Sequence, residues 1–253
     1  MPAKNYTAIV LAAGYGSRIA DVTKDPKTLL PINDQPILHR HLEIFSNLGI
    51  KNVVLVVGYR KQMIIDAVQP YVDRLNIKFI SNDDYTRLGN GYSLFFGIQN
   101  ATGSLLIFDG DLVYSEDILA RFAEDNHANA VLVCAGSLDD IECAKTLVDE
   151  QNNVRKTIDK RAVTDEELEQ YKFAGESIGV LKFDEAHRQD LVQLCEKFFS
   201  DEANLLLNWE HIMSLFFQDH DVWNHFEESN ASVEIDTAED YREACRKFAN
   251  DAA

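Results

Sequence analysis

The stretch YTAIVLAAGYGSR, residues 6–18, decides the fold of this chain. Residues 6–12 form an almost uninterrupted apolar run, which is typical of a strand buried on both faces of a parallel sheet. The loop that follows contains Gly14, Gly16 and the basic residue Arg18. The stretch therefore predicts the first strand of an α/β fold, followed directly by a glycine-rich turn.

Strand-like and helix-like stretches alternate through the rest of the first half. Further strands are predicted at 52–57, 78–81, 104–108 and 130–134, and helices at 36–48, 61–72, 91–99 and 116–125. Alternation at this spacing predicts right-handed crossovers between parallel strands. We therefore predict an α/β fold in which helices flank a mostly parallel sheet.

The second half is less regular. Strands are predicted at 154–159, 176–183 and 231–235, and helices at 185–199, 204–217 and 237–252. The charged stretch 161–171 is expected to be an exposed loop or helix. Thr237 is placed to cap the last helix, with Asp240 three residues on. The sequence has no internal repeat or linker, so we expect one domain over residues 1–253.

Composition excludes several classes of function. The chain has 253 residues, 46% of them hydrophobic, and its formal net charge is −18. Such an acidic chain is a poor partner for nucleic acid or an anionic membrane. The sequence has no apolar run of about 18 residues and no CxxC pair among its four cysteines. The apolar N-terminal run ends in glycines, not in a cleavage site. We therefore expect a cytoplasmic protein with buried free thiols.

The glycine loop is the first chemical motif. Glycines let the backbone N–H groups approach a phosphate, Arg18 adds a forked donor, and Lys27 adds a mobile positive charge. A dinucleotide loop would need a third glycine where Ile19 stands, and the ending of a Walker loop is absent. The alternative is an ordinary turn between a strand and a helix.

An acidic pair is the second motif. Asp109 and Asp111 end a predicted buried strand, at the edge where open α/β sheets bind ligands. Mg²⁺ is held by one or two carboxylates together with substrate phosphates. Asp111 is the better candidate for the metal, and Asp109 would support it. Each aspartate alone is equally well explained as a turn or helix-capping residue.

These motifs resemble a known family. The pattern LAAGxGSR at 11–18, followed by Pro26-Lys27, resembles the signature of nucleotidyltransferases that make sugar nucleotides and related activated metabolites. The stretches SNDDY (81–85), NGYSL (90–94), ESIG (176–179), WE (209–210) and EIDT (234–237) are similar to phosphocholine cytidylyltransferase-like members. Residues 159–174 depart most from the pattern. The resemblance implies a Rossmann-like fold of the nucleotide-diphospho-sugar transferase type.

The resemblance also implies an activity. A Mg²⁺-dependent cytidylyltransferase would transfer CMP from CTP to a small phosphate- or phosphonate-bearing amine, such as phosphocholine, 2-aminoethylphosphonate or a phosphorylated amino acid. Pyrophosphate would be released, and the product would serve to decorate a surface polysaccharide or lipid. Residues 1–135 would form the nucleotide-binding half and residues 136–253 the acceptor-binding half.

Particular residues carry these expected roles. Arg18 and Lys27 would be catalytic, and Asp111 and Asp236 would hold Mg²⁺. The expected nucleotide-binding residues are Leu11, Ala12, Ala13, Gly14, Gly16, Ser17, Asn82, Asn90, Ser93 and Asp109. The expected acceptor-binding residues are Lys156, Glu176, Trp209 and Glu210.

Several of these assignments have alternatives. Asn82 and Asn90 are also typical turn residues. Trp209 is spaced to pack in a helical core with Ile212, Met213 and Phe216. Lys156 and Lys160 both suit the acceptor phosphate, and at least one is expected to be a solvated surface lysine. Apolar residues on the last helices fit either a core or a homodimer face.

Two other functions remain open. The first is a sugar-1-phosphate nucleotidyltransferase, which the absence of a long sugar-binding insertion disfavours. The second is an inactive nucleotide-binding regulator, which would be expected to have lost one of Arg18, Lys27, Asp111 or Asp236. All four residues are present.

Overall fold

The computed structural model describes residues 5–229 and 232–249. The strands are β1 (Tyr6–Ala12), β2 (Pro31–Ile32), β3 (Gln35–Pro36), β4 (Asn52–Val57), β5 (Asn76–Ser81), β6 (Ser104–Asp109), β7 (Leu112–Tyr114), β8 (Ala130–Cys134), β9 (Lys145–Val148), β10 (Val154–Ile158), β11 (Lys172–Phe183), β12 (Trp223–Phe226) and β13 (Ser232–Glu234). The α-helices are α1 (Ile37–Asn47), α2 (Lys61–Ala67), α3 (Asn90–Asn100), α4 (Glu116–Glu124), α5 (Asp165–Gln170), α6 (Arg188–Phe198), α7 (Trp209–Asp219) and α8 (Ala238–Lys247).

The centre of the main sheet is parallel. β1 lies between β4 and β6, β5 lies outside β4, and all four strands run in the same direction. Every residue of β1 is buried. Ala8 and Val10 face the core that α1, α2 and α4 cover, whereas Ile9 and Leu11 face the core under α3, α6 and α7. The predicted α/β fold is confirmed, because β1 is apolar on both faces and each face is covered by helices.

The long strand β11 makes the rest of the sheet mixed. It runs antiparallel to β6 along Val180–Phe183 and antiparallel to β9 along Lys172–Glu176, with β8 on its other edge. Its register shifts around Gly175 and Gly179, both of which have positive φ. Because β11 runs against β6, residues 177–179 reach the edge where β6 ends. The second half of the chain thereby contributes to the ligand-binding edge of the parallel strands.

A small third core holds the C-terminal segment against the glycine loop. Ile19 after the loop, Val113 on β7, Ile235 and Phe248 are all buried together. β13 pairs antiparallel with β7, so that Leu112 lies opposite Glu234. This pairing brings residues 234–236 next to Asp111, although more than 120 residues separate them in the sequence.

Several predicted elements have different bounds in the structure. The helix expected at 204–217 begins only at Trp209, after a short 3₁₀ turn at Glu202–Asn204. The helix expected at 61–72 ends at Ala67 and is followed by a 3₁₀ turn, and the charged segment 161–171 contains α5. Ala231 and residues 250–252 of the predicted last elements lie outside the described residues. The capping box of Thr237 and Asp240 is confirmed.

Five strands were missed, namely β2, β3, β7, β9 and β12. Each has only two to four residues, and each pairs with a strand that is distant in sequence or antiparallel. Local apolar periodicity carries little signal for strands this short. Within residues 5–229 and 232–249, no helix has the length and apolar character that crossing a membrane requires.

Candidate active site

The glycine loop forms one wall of a cleft at the carboxyl end of β1. Gly16 has φ +65°, a left-handed conformation that glycine adopts without strain. A 3₁₀ turn at Ser17–Ile19 follows, and Ile19 is buried in the third core. Anchored in this way, the turn leaves Arg18 half exposed at the cleft. The backbone can therefore approach a bound anion here, and Arg18 lines the same part of the cleft.

The cleft has a volume of about 350 Å³. It opens where β1 and β6 end, which is the usual binding edge of an open α/β sheet. It brings together most of the residues that the sequence singled out. These are Leu11, Ala12, Ala13, Gly14, Gly16, Ser17, Arg18, Lys27, Asn90, Ser93, Asp109, Asp111, Trp209, Glu210 and Asp236.

Two basic side chains lie beside the glycine loop, and both are paired with carboxylates. Lys27 Nζ lies 2.5 Å from Asp111 Oδ2 and 2.8 Å from Asp236 Oδ1. Arg18 reaches Asp236 Oδ1 at 2.7 Å and Glu142 Oε2 at 3.5 Å. Burial alone would lower the pKa of Lys27, but the charges of Asp111 and Asp236 outweigh it and raise the pKa. Lys27 is therefore firmly protonated.

Three carboxylates converge beside Lys27. One oxygen from each of Asp111, Glu234 and Asp236 lies within 4.8 Å of the others. Asp111 Oδ1 is buried and has no hydrogen-bond partner among the described residues. Desolvation is the largest effect that raises the pKa of Glu234, and the charges of Asp111 and Asp109 raise it further. Clustered oxygen ligands with an unsatisfied buried atom fit a hard divalent cation such as Mg²⁺.

Glu234 was missed in the sequence. It is the last residue of β13, and Asp236 follows two residues later, outside the strand. The two-residue spacing of Glu234 and Asp236 could have indicated a pair of metal ligands, but only together with the β7–β13 pairing that brings the segment to Asp111.

Asp109 is buried at the floor of the cleft. Its Oδ2 accepts a hydrogen bond from Trp209 Nε1 at 3.1 Å. Gly179 has φ +76° and packs so closely that a Cβ atom there would collide with Asp109 Oδ2. Desolvation is the largest effect on Asp109, and together with the charges of Asp111 and Glu210 it raises the pKa well above its usual range.

Trp209 belongs to the core more than to the cleft. Only 1% of its surface is exposed, and its ring packs in the core under α3 and α7. Its backbone N–H also donates to Asn90 Oδ1 at 3.0 Å, which fixes the start of α7 against the start of α3. The expected role of its ring as an acceptor-binding surface is therefore not supported, and the packing interpretation fits the structure.

Glu210 lies at the far end of the cleft from the glycine loop. It is 8% exposed, and its Oε2 is buried without a partner among the described residues. Desolvation, followed by the charge of Asp159, raises the pKa of Glu210 to about 8. Asp159 also lines the cleft and accepts a hydrogen bond from Asn208 Nδ2 at 2.9 Å.

Another wall of the cleft is formed by the loop after β5 and the start of α3. Asn82 is buried and donates from Nδ2 to Ser93 Oγ at 3.0 Å, so it lies behind Ser93 rather than on the cleft surface. Gly89 donates to the carbonyl of Leu205 at 2.7 Å, and a Cβ atom on Gly89 would collide with the backbone of residues 206–207. This close approach joins the α3 and α7 walls.

Two predicted acceptor residues do not line the cleft. Lys156 Nζ lies 3.1 Å from Glu167 Oε1, on the outer side of β10. Glu176 interacts with Cys143 and Ala144, whereas its neighbour Ser177 lines the cleft. Successive strand residues point to opposite faces, so the sequence assigned the right strand but the wrong residue. Lys160, the alternative to Lys156, lines the cleft.

A glycine loop at the end of β1, paired basic side chains and a carboxylate cluster together define a nucleotidyltransferase site. The model of the MobA-like NTP transferase domain matches residues 8–178, and the chain belongs to this family. It is thus an enzyme of the nucleotidyltransferase class.

Individual relatives are similar over different lengths. The choline-phosphate cytidylyltransferase of Streptococcus pneumoniae is 25% identical over 247 residues, 93% of this chain and 95% of that protein. The CMP-5'-(3-aminopropyl)phosphonate synthase of Streptomyces rubellomurinus is 30% identical over 125 residues, 49% of this chain but 20% of that protein. Sugar-nucleotide enzymes are also among the matches.

Solved structures share the fold. The CTP:phosphocholine cytidylyltransferase of Streptococcus pneumoniae aligns with a TM-score of 0.75 at 21% identity, over 96% of this chain and 98% of that chain. The nucleotidyltransferase type of fold expected from the sequence is thereby confirmed.

Proposed function

We propose that this enzyme transfers CMP from CTP to a small acceptor that carries a phosphate or phosphonate group and an amine. The observation that carries the proposal is the charge pattern of the cleft. Arg18 and Lys27 adjoin the glycine loop together with a carboxylate cluster that fits Mg²⁺, and three further carboxyl groups, Asp109, Asp159 and Glu210, line the cleft. This pattern suits a triphosphate beside an acceptor with a cationic group. The similarity to a choline-phosphate cytidylyltransferase and to a CMP-5'-(3-aminopropyl)phosphonate synthase supports the same function.

The glycine loop and Arg18 bind the triphosphate. Backbone N–H groups of residues 13–17 face the phosphates, and the forked guanidinium of Arg18 suits their paired oxygens. Arg18 is half exposed and held by Asp236 and the exposed Glu142. Exchanging those carboxylates for phosphate oxygens requires only a side-chain rotation.

Lys27 bridges the two reacting anions. Its ammonium group is protonated and lies between the carboxylates of Asp111 and Asp236. From there it neutralises the α-phosphate and the attacking oxygen as they approach each other. A preorganised charge of this kind stabilises the transition state by several kcal/mol, roughly 10²–10³ in rate.

Asp111, Glu234 and Asp236 would hold Mg²⁺. Their clustered oxygens and the unpartnered Asp111 Oδ1 fit such an ion. When bound, the ion supplies charge neutralisation to the phosphoryl group being transferred. Asp236 also contacts Arg18 and Lys27, so it ties the metal ligands to both basic residues.

The transfer itself needs no general base. An oxygen of the acceptor phosphate or phosphonate is already an anion at neutral pH. It forms a bond to the α-phosphorus of CTP, while the bond from that phosphorus to the bridging oxygen of the β-phosphate breaks. Pyrophosphate leaves with the electron pair. The enzyme therefore acts by orienting two anions and neutralising their charge.

Ser93 and Asn90 are the polar side chains proposed to read the base. Both line the cleft at the start of α3, and Asn82 holds Ser93 in place from behind. Hydroxyl and amide groups can both donate and accept, as a cytosine edge requires. The assignment of cytosine over other bases rests on the relatives.

Pyrophosphate release tests the proposal. CTP, UTP, GTP, ATP and dTTP are each combined with Mg²⁺ and with phosphoethanolamine, phosphocholine, 2-aminoethylphosphonate or sugar 1-phosphates. We expect turnover with CTP and an amine-bearing acceptor. Turnover confined to a sugar 1-phosphate would replace the proposal with a sugar-nucleotide function.

A further inference from the structure

The cleft contains more acid than its proposed chemistry uses. Seven acidic side chains line it against three basic ones, Arg18, Lys27 and Lys160. The proposed metal site uses Asp111, Glu234 and Asp236, and Glu142 pairs with Arg18. The remaining three are Asp109, Asp159 and Glu210, which we call the acidic end. A site for two polyanionic substrates gains nothing from extra carboxylates unless one substrate also carries a positive charge.

Glu210 shows that a hydrogen-bond donor is missing. Its side chain is more than nine-tenths buried, and Oε2 has no partner among the described residues. The charge of Asp159 acts on Glu210 from nearby, and Lys160 offsets part of that repulsion. Buried polar atoms are normally hydrogen-bonded, and leaving one unpaired is costly. The position of Glu210 in the cleft lining means that a substrate can supply the donor.

The acidic end has no aromatic box. Among the described residues, only Tyr85 and Trp209 are aromatic and line the cleft. The ring of Trp209 is 1% exposed and packs in the core. Tyr85 belongs to the loop after β5 and packs against Tyr59. Quaternary ammonium groups have no N–H donors and are typically bound by exposed aromatic faces. The described residues that line the cleft therefore offer a quaternary ammonium group little aromatic surface to bind.

We propose that the acceptor carries a primary ammonium group, and that Glu210 with Asp159 selects it over a quaternary one. This inference rests on the proposed function. A primary ammonium has three N–H donors, as in lysine, and satisfies the buried oxygen of Glu210. Lys160, adjacent to Asp159 in the chain, remains to face the phosphate or phosphonate of the same small zwitterion.

The test compares acceptors that differ only in methylation. kcat/KM is measured with CTP and Mg²⁺ for phosphoethanolamine against phosphocholine, and for 2-aminoethylphosphonate against its N-trimethyl derivative. We expect kcat/KM to be roughly 10- to 100-fold higher for the primary amine of each pair. This factor corresponds to the free energy lost when one buried polar group is left unpaired. This comparison uses the unmodified enzyme, so it does not depend on any variant folding.

Glu210→Gln then assigns the selection to this residue. We expect KM for the primary amine to rise at least about tenfold, the ratio within each pair to fall towards one, and KM for CTP to stay within about twofold. Glu196→Gln, an exposed change on α6, is the matched control and should alter none of these values.

The outcomes separate the inference from the proposed function. CTP turnover in which phosphocholine equals or exceeds phosphoethanolamine overturns the inference and leaves the cytidylyltransferase proposal standing. An unchanged ratio in Glu210→Gln also overturns it. Turnover with sugar 1-phosphates alone, or with none of the acceptors, overturns both.

Discussion

The two ends of the cleft differ in how their charges are satisfied. At the glycine-loop end, Lys27 lies between Asp111 and Asp236, and Arg18 lies between Asp236 and Glu142. At the acidic end, burial and neighbouring charges raise the pKa values of Asp109 and Glu210, and Glu210 Oε2 has no partner among the described residues. Both ends keep one buried carboxylate oxygen without a partner among the described residues, but the first pairs two basic side chains with its carboxylates, whereas the second has only Lys160 near Glu210.

This difference has an energetic consequence. At the glycine-loop end, a triphosphate must displace carboxylates from Arg18 and Lys27, so binding exchanges one set of ion pairs for another. At the acidic end, a cation relieves repulsion between carboxyl groups in a poorly solvated site, where charges interact strongly. We therefore expect changes at the glycine-loop end to act mainly on rate, and changes at the acidic end to act on acceptor binding and on stability.

Replacing Lys27 should have the largest effect. Lys27→Met keeps the length of the side chain but removes the charge that contacts both Asp111 and Asp236. We expect kcat/KM for CMP transfer to fall about 10³-fold, the upper range for losing one preorganised charge. The measurement is steady-state pyrophosphate release, with a thermal melt followed by circular dichroism to establish folding.

Lys24→Met provides the control for that experiment. Lys24 is exposed in the same loop and is not among the residues that line the cleft. Its activity should match the unmodified enzyme. A folded Lys27→Met variant that keeps more than a tenth of the activity would contradict the role assigned to Lys27.

Asp111→Asn should have the next largest effect. It removes one of three clustered carboxylates and one partner of Lys27. We expect kcat to fall about 10²-fold and the Mg²⁺ concentration for half-maximal rate to rise about tenfold. Mn²⁺ binding followed by electron paramagnetic resonance gives a readout that is independent of turnover.

Asp117→Asn, an exposed change on α4, is the matched control for the metal experiment. It should leave both Mn²⁺ affinity and rate unchanged. If Asp111→Asn binds Mn²⁺ as tightly as the unmodified protein, the carboxylate cluster is not the metal site.

The glycine-loop end was largely predictable from sequence, for a physical reason. β1, the glycine turn and Arg18 are contiguous, and Asp111 lies two residues after the end of the buried strand β6. Local apolar patterns are enough to place such residues at the carboxyl edge of a parallel sheet. Lys27 is only eleven residues from Gly16, and both line the same cleft.

The rest of the cleft depends on long-range contacts that a single sequence does not reveal. Glu234 reaches Asp111 through the pairing of two three-residue strands, β7 and β13. Ser177 lines the cleft instead of Glu176 because β11 lies antiparallel beside β6 with a shifted register. Trp209 is buried by the packing of α7 on α3, which periodicity alone could not distinguish from an exposed ring.

Glu210→Gln should change how stability depends on pH. Desolvation and Asp159 raise the pKa of folded Glu210 to about 8, against an ordinary value of 4.5. A carboxyl with a raised folded pKa binds its proton more tightly in the folded state, so it costs stability as pH rises from about 4.5 to about 8. Glutamine removes that cost. At pH 8 we expect the free energy of unfolding of the variant to exceed that of the unmodified protein by on the order of 2–4 kcal/mol.

Urea unfolding at pH 5, 6.5 and 8 measures this effect. The difference in free energy of unfolding between Glu210→Gln and the unmodified protein should grow with pH, because only the unmodified protein has the Glu210 carboxyl to ionise. Glu196→Gln should show no such trend. A constant difference across this range would mean that Glu210 is solvated and ionised in the folded protein, and that the acidic end has no unmet need for a cation.

Glu142→Gln should have the smallest effect, and it probes the exchange at the glycine-loop end. Glu142 Oε2 lies 3.5 Å from Arg18, and both side chains are substantially exposed, so the pair contributes about 0–1 kcal/mol. If Glu142 competes with the triphosphate for Arg18, its removal should lower KM for CTP about twofold without changing kcat, and high salt should abolish the difference because it screens the pair. Asp139→Asn, in the same exposed loop, is the control and should leave KM unchanged. A rise in KM would instead mean that Glu142 holds Arg18 ready for the phosphates.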